Sequence, residues 1–245
     1  MVGSLVRPGS TQEQLGRLFL AAVLVVFLPA LPLGNYIIYP FTILTTWFHE
    51  MGHGLTAMLL GNNFERLVIL PTGSGYAEST LYGNSRFDRA LVAAGGPLGP
   101  SMIGSVLILA SSRRKFWRPA LYVLSAALVL STLIWVRSLV GIVVLPLVAL
   151  LLVAIAHRAR EGFVRFALQF LGVLAAMSMF RDWDYLFSQS ANIGGQVMLS
   201  DTGAIAEALF MPYWFWAAFI IALSAAMILA SLKVALTDRR EPWQR

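Results

Sequence analysis

Seven apolar runs close to the length of a bilayer crossing dominate this chain, near 17–36, 41–60, 88–111, 118–136, 139–156, 164–181 and 212–236. A helix needs about 20 mostly apolar residues to cross the hydrocarbon core. Inside that core every backbone N–H and C=O must be satisfied within the segment, which selects the helix. The runs are apolar all round rather than along one stripe, as lipid-facing helices are. Charged residues make up 12% of the chain, against about 25% in soluble domains. Only Arg137 interrupts the fourth and fifth runs, and one run can be tilted or re-entrant. The expectation is an all-α membrane protein with six or seven transmembrane helices. No repeat or linker divides the chain, so 1–245 reads as a single polytopic membrane domain. The first run lacks a small-x-small cleavage site before a soluble domain and reads as a retained span.

The net charge is +6, and the basic residues gather in short connections. Arg113, Arg114, Lys115 and Arg118 form one group, Arg158, Arg160 and Arg165 a second, and Lys233, Arg239, Arg240 and Arg245 a third. This is the positive-inside bias of membrane proteins. It points to the lipid bilayer as partner and not to nucleic acid. The chain has no cysteine, which excludes disulfides, iron–sulfur clusters and thiolate zinc sites. A metal must therefore be held by His, Asp or Glu, and the histidines are His49, His53 and His157. His157 sits beside Arg158 and Arg160 and reads as a headgroup residue.

The second apolar run holds His49-Glu50-Met51-Gly52-His53. Residues four apart on a helix are offset by about 40° and 6 Å, so two such imidazoles can share one tetrahedral ion. The glutamate between them can reach the open coordination position and take a proton from water there. Ionisable groups inside a membrane run are costly and mark function; the bland alternative is two buried histidines bonded to helix carbonyls. Gly52, Gly54, Ala57 and Gly61 around the motif suit close helix packing first, and room for a metal second.

Two connections are too long for simple turns. In 61–86, Leu67-Val68-Ile69-Leu70 and Tyr76-Ala77-Glu78-Ser79-Thr80 flank Pro71-Thr72-Gly73-Ser74-Gly75, which predicts one small β-hairpin after the zinc-motif helix. The other, 181–211, is polar and carries Asp182, Asp184 and Asp201. A third ligand should be a carboxylate or a histidine. Asp201 opens an apolar helical run, where Ser200 or Asp201 also suits an N-cap. Asp201 and Asp184 stand as alternatives for the third ligand.

Four stretches resemble the M50, site-2-type intramembrane metalloproteases, and among them the M50B-like branch. Phe48-His49-Glu50-Met51-Gly52-His53-Gly54 is similar to the family's F-H-E-x-G-H helix, and the hairpin at 67–80 to the strand pair after it. Ala94-Gly95-Gly96-Pro97-Leu98-Gly99-Pro100 resembles an A-G-P-x-x-N stretch. Trp183-Asp184 and Ser200-Asp201-Thr202-Gly203-Ala204 resemble the late acidic segments. The family's N-x-x-P…D-G element, whose aspartate is the third ligand, has its nearest match in Asn192-Ile193-Gly194-Gly195 leading to Asp201, without the proline or an Asp-Gly pair. The resemblance covers about 41–215. It implies a metalloprotease core in which His49, His53 and an aspartate hold Zn2+ and Glu50 is the general base. It implies a membrane-embedded protein substrate, and a home in a bacterial plasma membrane. A non-catalytic membrane scaffold or a metal-dependent transporter on the same fold is the rival reading. An exposed hairpin edge can add an extended peptide as a strand, so Leu67, Val68, Ile69 and Leu70, or residues 76–80, are the expected substrate clamp.

Overall fold

A computed structural model of the chain describes residues 11–82 and 85–237; Arg239, Arg240 and Arg245 of the basic tail lie outside them. The order is α1 (Thr11–Phe27), a 3-10 turn (Leu28–Ala30), α2 (Gly34–Leu59), β1 (Asn63–Ile69), β2 (Gly75–Thr80), α3 (Arg86–Ser111), α4 (Arg114–Ile134) and α5 (Leu139–Arg158). Then come α6 (Glu161–Arg181), the single turn α7 (Trp183–Leu186), β3 (Ser190–Ile193), β4 (Gln196–Leu199), α8 (Asp201–Leu209) and α9 (Tyr213–Leu236). Among the described residues, six segments are long and apolar enough to cross a membrane: Gln12–Ala30, Arg86–Ser111, Arg114–Ile134, Leu139–Arg158, Glu161–Leu186 and Tyr213–Leu236. The helix that carries the histidine motif, α2, is not among them. It spans as many residues as α3, but its stretch from Thr42 to His53 holds the polar residues Thr42, Thr45, Thr46, His49, Glu50 and His53. The first apolar run also breaks: α1 ends at Phe27, Pro29 lies in the 3-10 turn, and Leu33 takes a left-handed φ of 63° before α2 begins.

Large apolar side chains such as Leu133, Leu139, Leu150 and Leu229 face outward, as expected where the solvent is lipid. The most enclosed of the spanning segments are α6 and α3; α1 and α9 are the least. Two of the basic connections meet at one end of the molecule. Arg118 donates to the carbonyls of Ala156, His157 and Ala159 at the end of α5, where a cation complements the helix dipole. Arg114 pairs with Glu161, and Arg17 donates to the Gly162 carbonyl. His157 is exposed there, as expected.

The hairpin after α2 forms as the sequence suggests, antiparallel with Leu67 opposite Ala77. Its turn places Gly73 at φ 90°. Arg66 grips Glu78 across the strands with bonds of 2.7 and 2.8 Å, and this bonding holds the Glu78 carboxyl below its ordinary pKa. The break at Arg137 has a structural use. Leu67 N–H donates to Trp135 C=O at 2.9 Å, and Arg137 N–H donates to Leu67 C=O at 2.9 Å. Ser138 Oγ accepts from Ile69 N–H at 3.0 Å. The outer edge of β1 is thereby closed by the α4–α5 connection. A second hairpin, β3–β4, departs from the single one expected. Gly194 and Gly195 at φ 62° and 87° make its two-residue turn, the conformation that such loops demand.

Between α2 and α3 the contact is close enough that backbone lies on backbone. A Cβ on Gly99 would stand 2.7 Å from the Phe48 carbonyl oxygen, and one on Gly52 would overlap the Gly95 carbonyl. Gly16 on α1, by contrast, has open space around it. Gly52→Ala should therefore cost about 1–3 kcal/mol by overpacking, seen as a lower melting temperature in detergent. Gly16→Ala should be neutral or gain up to about 1 kcal/mol. Equal melting temperatures for the two variants would contradict the contact.

Candidate metal centre

One turn apart on α2, His49 and His53 turn toward α3. Gly96 makes the room: a Cβ there would overlap the His53 ring and lie 2.8 Å from His49 Nε2. His53 Nδ1 is 2.7 Å from the Val92 carbonyl oxygen. A carbonyl only accepts, so Nδ1 carries the proton and Nε2 keeps its lone pair. This is the usual outer contact of a metal-binding histidine.

The third group is Asp201, the first residue of α8. Ser200 is the N-cap, its Oγ accepting from Gly203 N–H at 3.0 Å. The Asp201 carboxylate is thus left free of capping and turns to the histidines. Its Oδ2 is 3.0 Å from His49 Nε2 and its Oδ1 3.2 Å from His53 Nε2, and the two Nε2 atoms are 3.2 Å apart. The segment just after α6 holds this helix start in place. Thr202 Oγ1 donates to Leu186 C=O at 2.7 Å, Ser200 N–H to Gln189 C=O at 3.1 Å, and Asp201 N–H to Tyr185 Oη at 3.2 Å. Asp184 does not join the group: it lies exposed on α7, whose Leu186 is buried and whose Tyr185 faces His49.

The donor set fits zinc. His49, His53 and Asp201 offer ligand atoms within 4.8 Å of one another. Tetrahedral zinc with bonds of about 2.0–2.1 Å sets its ligand atoms about 3.3–3.4 Å apart, close to the 3.0–3.2 Å found here. Asp201 Oδ2 is enclosed and takes no hydrogen bond, despite its closeness to His49. A buried carboxylate oxygen in that state needs a cation.

These residues open on a cleft of about 320 Å³. Glu50 is buried at its wall, approached by the Ala77 backbone, and a Cβ on Gly75 would stand 3.2 Å from Glu50 Cγ. The wall is therefore β2 and not β1. Leu67, Val68, Ile69 and Leu70 do not line the cleft; Leu67 and Ile69 are buried, and the edge they would offer is bonded to Trp135, Arg137 and Ser138. Because Leu67 spends its N–H and C=O outward, its partner Ala77 must point its own away from β1 as well. Gly75, Ala77 and Ser79 line the cleft. Ile193, Met198 and Leu199 of the second hairpin also line it. The sequence reading missed Tyr185, Gly96 and the Val92 carbonyl. A run of small residues at 93–96 was the visible signal for Gly96; nothing local marked the other two.

A sequence profile of the family described as peptidase M50B-like matches residues 18–231. No curated protein and no solved structure matches the chain.

The geometry separates the two aspartates. Purified wild type should carry about one zinc per chain by elemental analysis. His49→Ala and Asp201→Asn should each lose most of it, while Asp184→Asn keeps it. Zinc retained in Asp201→Asn but lost in Asp184→Asn would reverse the assignment.

Proposed function

This chain belongs to the peptidase M50B-like family, and from that premise we propose that it is an intramembrane zinc endopeptidase acting on membrane-embedded protein substrates. The observation that carries the reading is the meeting, in one cleft, of His49, His53 and Asp201 with the buried Glu50 and the edge of β2. Zinc held by His49, His53 and Asp201 would supply Lewis acidity, lowering the pKa of a bound water toward neutrality and polarising a carbonyl. Glu50 takes the proton of the attacking water and hands it to the leaving nitrogen. A C–O bond forms, the C–N bond breaks, and the products are a carboxylic acid and an amine. A purely metal-binding scaffold or transporter needs the histidines but has no use for a buried glutamate at this position.

Substrate binding follows from the same edge. A peptide bond inside a helix is shielded, so a substrate helix must unwind before it is cut. Its freed N–H and C=O groups then cost several kcal/mol each unless they are paired. The Ala77 N–H turns to Glu50, so the Ala77 carbonyl and the outward groups of Gly75 and Ser79 on β2 supply that pairing by strand addition. The positive-inside bias favours the Arg114 and Arg118 end as the cytoplasmic side of the membrane.

Glu50→Gln, reconstituted with a designed transmembrane peptide, should lose about 10²–10⁴-fold in turnover while its zinc content stays at the wild-type level. Turnover that survives in Glu50→Gln, or that falls only as zinc is lost, sinks the hydrolase reading. Ser79→Pro removes an outward donor of β2 and should weaken peptide binding with zinc content and melting temperature kept. If its binding equals wild type, the helices alone hold the substrate.

A further inference from the structure

Amide hydrolysis builds negative charge on the carbonyl oxygen, and a fixed donor aimed at that oxygen is among the strongest aids a site can offer. The α3 wall offers none: from Ala93 to Pro100 its side chains are all apolar or absent. Tyr76 and Ser79 line the cleft from β2, on the side of Glu50. Arg89 is exposed at the start of α3, about 10 Å along the axis from Gly96 by helix rise. Among the cleft-lining side chains, only Tyr185 brings a neutral donor to the wall that holds the ligands. Its hydroxyl oxygen accepts from Asp201 N–H at 3.2 Å, and its ring meets His49 edge to face at 6.4 Å.

We propose that Tyr185 is a catalytic residue, its phenolic O–H donating a hydrogen bond to the scissile carbonyl oxygen as that oxygen becomes negative. This rests on the hydrolase reading. A phenol has one proton to give and lone pairs to receive. The Asp201 N–H occupies a lone pair and fixes the oxygen, and the proton, within reach of the Asp201 carboxylate, turns to the substrate carbonyl as that oxygen becomes negative. Tyr185 keeps that proton throughout; Glu50 alone moves one. The charge is thus met from the Asp201 side of the cleft while the water is activated from the Glu50 side.

Tyr185→Phe keeps the ring beside His49 and removes only the hydroxyl. With the designed peptide, kcat should fall about 10²-fold with KM nearly unchanged, as for loss of a donor used in the transition state. Zinc content should match wild type, and the melting temperature should fall only by what the lost Asp201 N–H bond is worth. A phosphinic analogue of the cleaved peptide, whose tetrahedral oxygens imitate the charged state, should bind about 10²-fold more weakly to Tyr185→Phe, while the uncleaved peptide binds Glu50→Gln equally well with and without Tyr185→Phe. Zinc loss in step with activity would reduce Tyr185 to a positioner of Asp201 and overturn the proposal. An unchanged kcat and unchanged phosphinic affinity would overturn it too, leaving the hydrolase reading in place. A wild type that turns over nothing sinks that reading, and this inference with it.

Discussion

The site depends on how closely α2 and α3 approach. Ordinary side chains hold packed helices about 8–10 Å apart. In lipid no hydrophobic force presses them together, so association relies on small residues that let backbones touch. Gly52, Gly95 and Gly99 provide that contact, and Gly96 continues it under the two imidazoles. Without it the histidine rings would be pushed off α3, and His53 would lose the Val92 carbonyl that sets its tautomer.

The other half of the centre is brought in by a division of labour at the start of α8. A helix beginning with Ser-Asp has two acceptors for the same backbone donors. Ser200 takes the capping role and also donates to the Ser188 carbonyl. Asp201 is thereby released to face the histidines while its own N–H is held by Tyr185. Burial makes this arrangement exacting: a carboxylate and two imidazoles enclosed together are stable only when every lone pair has a use.

Local spacing carries local facts, and the sequence was legible where the site is local. His49, Glu50 and His53 lie on one helix, and helical period alone brings them together. The spanning segments follow from composition, since lipid punishes charge wherever it falls. Asp201 and Asp184 were not separable by such means, because the choice turns on which face of a short helical turn packs inward far from α2. The choice between the 67–70 and 76–80 edges of the first hairpin stayed open for the same reason: β1 is closed by Trp135, Arg137 and Ser138, which no pattern within 67–80 reveals. The second hairpin did leave a local trace in Gly194-Gly195, whose positive φ values mark a tight strand reversal.

That closed edge has a further consequence. A two-stranded ribbon with both sides open is divalent: it can join one neighbour on each side, and such units link into open-ended ladders. With β1 tied to the α4–α5 connection, the ribbon has a valence of one. A strand that adds to β2 takes the one free side of this ribbon, and a second copy finds no open β1 side on it through which to extend a ladder.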